Sequence, residues 1–195
     1  MDRERADRQL RLITEVMDVA EAHGISVWLR GGWAMDFFLG EITRDHEDID
    51  WFLWDSGAGA LTDALSARGY EATDASPPEQ QLDYVKDGLE SSFTLLSRDA
   101  AGQAEVAGGP WAGTAWPEAM PGTTPGRLAG LTCPIVGPRG QIDIKRLTPE
   151  WVPGMPHRAK DAEDIARLEA ALAAQDERGG DERRSGVNHR GPGAE

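Results

Sequence analysis

Positive charge and sulfur are what this chain has least of. Lysine and arginine together number 20 against 34 aspartates and glutamates, a formal net charge of −14 at pH 7. So acidic a balance argues against a nucleic-acid partner, because phosphate backbones are held by basic surfaces. It suits a cationic small molecule, or simply keeps a protein in solution. The single cysteine, Cys133, excludes a disulfide within the chain and a cysteine-based zinc site, and a reducing cytoplasm fits. Long apolar runs are missing too, so no membrane partner is expected. The opening MDRERADRQLRL is too charged for the core of a signal peptide, and no internal repeat is visible. What is there, 39% hydrophobic and 28% charged residues over 195 positions, describes a globular domain long enough to bury a core.

The rest of the chain is organised around residues 29–54, LRGGWAMDFFLGEITRDHEDIDWFLW. This stretch reads as a short strand, a glycine turn into a helix, a polar loop, and a second strand bearing Asp48 and Asp50. Side chains at i and i+2 of a strand share a face, so the two carboxylates form a pincer. They repel unless a cation lies between them, and oxygen-only ligands favour Mg²⁺, which completes its shell with substrate phosphates and water. Gly31 and Gly32 open a helix whose N-terminus attracts an anion such as a triphosphate. An Asp-x-Asp pair is often a solvated turn. Here Trp51, Phe52, Leu53 and Trp54 follow at once, so the acids stand at the end of a buried strand, where charge needs a reason.

Gly31-Gly32-Trp33-Ala34, Asp36, Leu39-Gly40, Thr43-Arg44, His46 and Asp48-Ile49-Asp50 resemble the signature of aminoglycoside 2''-nucleotidyltransferases and lincosamide nucleotidyltransferases. These are small members of the DNA polymerase β-like nucleotidyltransferase superfamily. The resemblance implies an α/β (α+β) fold with a small mixed sheet flanked by helices and a helical C-terminal portion. It also implies transfer of a nucleoside monophosphate, AMP from Mg²⁺-ATP, to a hydroxyl of a small molecule, an aminoglycoside or lincosamide antibiotic. Asp48 and Asp50 would hold the metal. Arg44 would meet phosphate, since a guanidinium pairs its hydrogen bonds on phosphate oxygens; His46 would either contact phosphate or brace the loop. A third carboxylate is implied on the neighbouring strand, both as metal ligand and as proton acceptor. Glu90 is the candidate, Asp87 and Asp83 are alternatives, and an alignment of the hairpin that puts Ser92 at the matching position leaves no third acid. In that event a second reading gains: a nucleotide-binding or antitoxin-like regulator acting with a protein partner.

Taken in order, residues 4–23 recur as an amphipathic helix closed by Gly24, and residues 25–30 as the first strand. Ala58–Arg68 reads as a helix and Tyr70–Thr73 as a short strand. QLDYVKD and LESSFTLLSRD form a hairpin around Asp87-Gly88; Gly102–Gly109 adds another strand. The glycine- and proline-rich run 110–127 is a loop in which Trp111 and Trp116 either wall an acceptor pocket or pin the loop down. Leu128–Val136 reads as a last edge strand, and Pro138 opens a helix carrying Lys145, a surface charge by default and a nucleotide contact by resemblance. Residues 158–173 form a strong helix whose Lys160-Asp161-x-x-Asp164-Ile165 run resembles the segment opening the last helix of small nucleotidyltransferases. The expected plan is one domain over 1–174, with C-terminal helices over about 137–174, and disorder over 175–195, where apolar side chains nearly vanish.

Overall fold

The computed structural model describes residues 1–116, 125–151 and 158–185. Helix α1 (Arg3–His23) starts where the Asp2 carboxylate accepts the Arg5 amide at 3.0 Å and stops at Gly24, whose φ of 63° is left-handed. Its buried stripe, including Leu10, Ile13, Val16 and Ala20, lies on one face at helical spacing and packs into the main core with α3 (Ala58–Ser66).

The main sheet is mixed. Its order is β1 (Val27–Arg30), β2 (Asp48–Trp54), β5 (Leu89–Arg98), β4 (Gln81–Lys86) and β3 (Glu71–Thr73), with β6 (Ala104–Val106) also on β5. Only β2 and β5 run parallel among these pairs; the others are antiparallel. The β4–β5 hairpin turns at Asp87 and Gly88, with φ of 53° and 71°, the paired left-handed conformation that an Asp-Gly dipeptide adopts at least cost.

Strand alternation then divides the chemistry. Leu29, Ile49, Trp51, Leu53, Phe93 and Leu95 point into the core shared with α1 and α3. The opposite face carries rungs read from the register: Asp48 beside Glu90, and Arg30, Asp50, Ser92 and Asp83 side by side across four strands. Helix α2 (Gly31–Leu39) follows β1 and ends at Gly40; its Met35 is buried with Ile142 of α4 (Pro138–Trp151) and Leu168 of α5 (Ala159–Ser185).

Two expectations are corrected. The single edge strand expected over 128–136 is a separate hairpin, β7 (Gly126–Leu128) with β8 (Leu131–Cys133), because Ala129 and Gly130 at φ 51° and 79° reverse the chain. Beyond it only Ile135 bridges Leu29 of the main sheet, with Pro134, which has no N–H, offering just its carbonyl to the Leu29 amide at 2.9 Å. The disorder expected from Gln175 gives way to helix as far as Ser185. Gln175, two glutamates and three arginines in this stretch favour helix without a core nearby, against the cost of Gly179 and Gly180. Residues 186–195 of the expected tail, and 117–124 of the expected loop, lie outside the described residues. The lone Cys133 is fully buried, and burial pushes its thiol up to about 12.

Candidate active site

The site grows from the turn between β1 and α2. Gly31 has φ 67°, and a Cβ there would collide with the Asp50 carboxylate; one on Gly32 would collide with the His46 ring and the Arg44 guanidinium. The glycine pair therefore makes room for an acid on one side and a histidine on the other. Asp36, one turn into α2, has no exposed surface. It accepts the Thr43 amide at 3.2 Å, the Thr43 hydroxyl at 2.7 Å and His46 Nε2 at 2.6 Å. Arg44 Nη1 donates to His46 Nδ1 at 3.1 Å, which leaves Nδ1 without a proton and Nε2–H as the donor to Asp36. His46 thus acts on Arg44 directly and on the loop by way of Asp36, which also holds the Thr43 amide and hydroxyl.

Asp48 and Asp50 lie on one face of β2 and both line a cavity of about 510 Å³, which Gly31, Arg44, Lys145, Arg158 and Lys160 also line. Although Asp48 keeps an open face, burial by the surrounding wall pushes its carboxyl above the ordinary value. The Asp50 charge adds to this, and Arg30 and Lys160 act against it. Arg30 reaches Asp50 at 3.1 Å. A divalent cation between the acids would relieve the same strain, and the donor set, all carboxylate oxygen, suits Mg²⁺. Among the described residues no three acidic, histidine or cysteine side chains gather as a metal cage, so a cation held here depends on substrate oxygens and water for its remaining ligands.

Across the cavity the expected cations Arg44 and Lys145, and with them Arg158, are held by acids of α5. Lys145 pairs with Asp164 at 2.8 Å and Asp161 at 3.4 Å, Arg44 with Asp164 at 3.1 Å, and Arg158 with Asp161 at 2.7 Å. Burial opposes ionisation of both aspartates, yet the hydrogen bonds and charges of Arg158, Lys145 and Arg44 outweigh it and hold them below the usual carboxylate range. Glu90 stands beside Asp48 in register but is exposed and lines no part of this cavity. Ser92, opposite Asp50, donates to Asp83 at 2.8 Å, and Asp83 is buried with its other oxygen unpartnered. Arg30 and Arg158 escaped the reading of the sequence. Arg30 is found only once β1 is registered on β2, whereas Arg158 lay in plain view three residues before Asp161, at helical pairing distance.

The sequence profile of aminoglycoside-2''-adenylyltransferases matches residues 12–168. The chain belongs to that family. Within this adenylyltransferase family, a 2''-aminoglycoside nucleotidyltransferase of Klebsiella pneumoniae is 33% identical over 76 residues, 39% of this chain and 40% of that protein. One of Escherichia coli is 43% identical over 42 residues, 22% of this chain and 24% of that protein. These alignments thus span less than half the length of the curated relatives. Among solved structures, ANT(2'')-Ia in complex with adenylyl-2''-tobramycin superposes with a TM-score of 0.67 at 22% identity, covering 87% of this chain and 92% of that one. Lincomycin-bound LnuA, a lincosamide antibiotic adenylyltransferase, gives 0.63 at 17% identity, covering 81% and 94%. The shared fold is the polymerase β-like nucleotidyltransferase fold.

Proposed function

We propose that this chain moves AMP from Mg²⁺-ATP onto a hydroxyl of a small molecule of the aminoglycoside or lincosamide kind. The observation that carries the reading is one cavity with Asp48 and Asp50 on its β2 wall and Arg44, Lys145, Arg158 and Lys160 facing them. A polyphosphate belongs between those two sets of charge. Asp161 and Asp164 hold Lys145, Arg44 and Arg158 in place before substrate arrives, so little reorganisation remains for the reaction. Asp48 and Asp50 would hold Mg²⁺, which when bound neutralises charge on the triphosphate and eases deprotonation of the acceptor. The acceptor oxygen bonds to the α-phosphorus, pyrophosphate leaves with the electron pair, and the hydroxyl proton passes to a carboxylate. We assign that role to Glu90, the exposed acid beside Asp48 in register; because it stands outside the cavity lining, the acceptor hydroxyl has to approach over the Asp48 end of β2 to reach it.

The test is a thermal-shift series with ATP and Mg²⁺, followed by mass spectrometry of tobramycin and lincomycin after incubation. A mass gain of one AMP on either acceptor is expected. Stabilisation by nucleotide without product on any hydroxylated acceptor would favour the nucleotide-binding regulator, and no response to Mg²⁺-ATP would sink both.

A further inference from the structure

Arg5, Arg8 and Gln9 fall at i, i+3 and i+4 on α1 and so share one face of its opening turns. All three donate to backbone carbonyls at the end of the sheet that carries Asp48. Arg5 Nε reaches the His46 carbonyl at 3.1 Å and its Nη2 the Glu47 carbonyl at 2.6 Å; Gln9 Nε2, from a fully buried side chain, adds a second bond to the His46 carbonyl at 3.2 Å. Arg8 Nη2 donates to the carbonyl of Asp87 in the β4–β5 turn. The two arginines thus grip different parts of the sheet from one helix.

Two successive carbonyls turned toward one guanidinium do not fit a straight strand, where they alternate in direction, and the chain bends at Glu47 just before β2 begins. The fork of Arg5 matches that bend as a single-point donor cannot. What it holds is next to the chemistry. The Glu47 carbonyl and the Asp48 amide belong to one planar peptide unit, so fixing the oxygen fixes the plane from which Asp48 sets out. Asp36 grips the same loop from the α2 side, through Thr43 and the His46 ring, and α1 takes the carbonyls of its last two residues. Helix α1 is itself seated in the main core by Leu10, Ile13 and Val16, so the fork is presented by a rigid element.

We propose that Arg5 is a positioning residue for Asp48: its fork on the His46 and Glu47 carbonyls aims that carboxylate at the metal position beside Asp50. The proposal rests on the transferase reading, in which Asp48 and Asp50 hold Mg²⁺ against the triphosphate. Loss of a group that orients a metal ligand weakens the metal about 10- to 100-fold. Phosphate contacts should survive it, since Arg44, Lys145 and Arg158 keep their partners Asp161 and Asp164 on α5. Arg5 also lines the cavity, so direct contact with phosphate is the rival role, and the two separate by their dependence on metal.

The affinity of the full chain for a nonhydrolysable ATP analogue is to be measured by calorimetry, once with Mg²⁺ and once with the metal chelated. The ratio of the two is the metal's contribution. In Arg5→Met that ratio should fall about 10-fold or more, with the metal-free affinity unchanged. Arg5→Lys keeps the charge and loses the fork, so its ratio should fall likewise. Arg8→Met removes the bond to the Asp87 turn from the same helix face and should keep the wild-type ratio, whatever it costs in thermal stability. An unchanged ratio in Arg5→Met, full recovery in Arg5→Lys, or an equal fall in Arg8→Met would each overturn the proposal. So would a loss of metal-free affinity in Arg5→Met, which would make Arg5 a phosphate contact. A wild type that binds the analogue no better with Mg²⁺ than without it would instead overturn the transferase reading.

Discussion

A carboxylate with no exposed surface has to be used completely by its neighbours, and Asp36 is: three donors from Thr43 and His46 converge on it. Asp36→Ala would strand all three and free the loop that aims Arg44. We expect a loss of about 3 kcal/mol by denaturant unfolding, together with weaker nucleotide binding. Gly31→Ala combines a strained left-handed residue with displacement of Asp50; it should cost about 1–3 kcal/mol of stability and lower transfer as well. Asp48→Asn and Asp50→Asn should each reduce AMP transfer about 10²–10³-fold while circular dichroism stays unchanged, and undiminished turnover in either would remove that residue from the mechanism. At this scale the spacing of Asp48 and Asp50 and the adjacent glycines were legible, because both depend on neighbours in sequence. What Arg30 touches was not, since its partner Asp50 is 20 positions away and meets it only through strand register.

Helix α5 shows how an element can be found and its task misjudged. Its buried stripe was readable from periodicity and its Lys160-Asp161-x-x-Asp164-Ile165 run from resemblance, but not what Asp161 and Asp164 hold; their partners lie on α4, on the loop before β2 and just ahead of α5 itself. Because the partners hold both carboxyls below their ordinary value, the clamp contributes stability above the unfolded-state carboxylate range and loses it as pH falls through the depressed native values. Hydrogen exchange followed as the solution is acidified should therefore show α5 amides opening before those of β2 and β5. Simultaneous opening would mean that the ion pairs do not hold the helix. The hairpin β7–β8 was missed for a simpler reason: Ala129 has no visible preference for the left-handed conformation it adopts, so Gly130 was the one residue between the two strands that pointed to a reversal.

Over the whole molecule, an acidic chain of net charge −14 keeps a local concentration of cations around one cavity. Mg²⁺-ATP at about 100 times its dissociation constant should stabilise the fold by about 2.7 kcal/mol, a rise of roughly 5–10 °C in Tm for a chain of this size, and the shift should shrink as salt screens the exposed charges. The alternation of buried and polar strand positions made the two-faced sheet legible. That the Glu90 strand neighbours β2 came with the family resemblance; its parallel direction and register did not, because strands separated by so long a stretch of chain can register in several ways until the core chooses one. The lone thiol offers a practical route to these motions. Cys133 is sealed in the core and its thiolate is suppressed near neutral pH, so the native chain should resist maleimide. A cysteine introduced at an exposed site such as Glu163 would then take a fluorophore alone, and α5 could be watched during turnover without first engineering away a background.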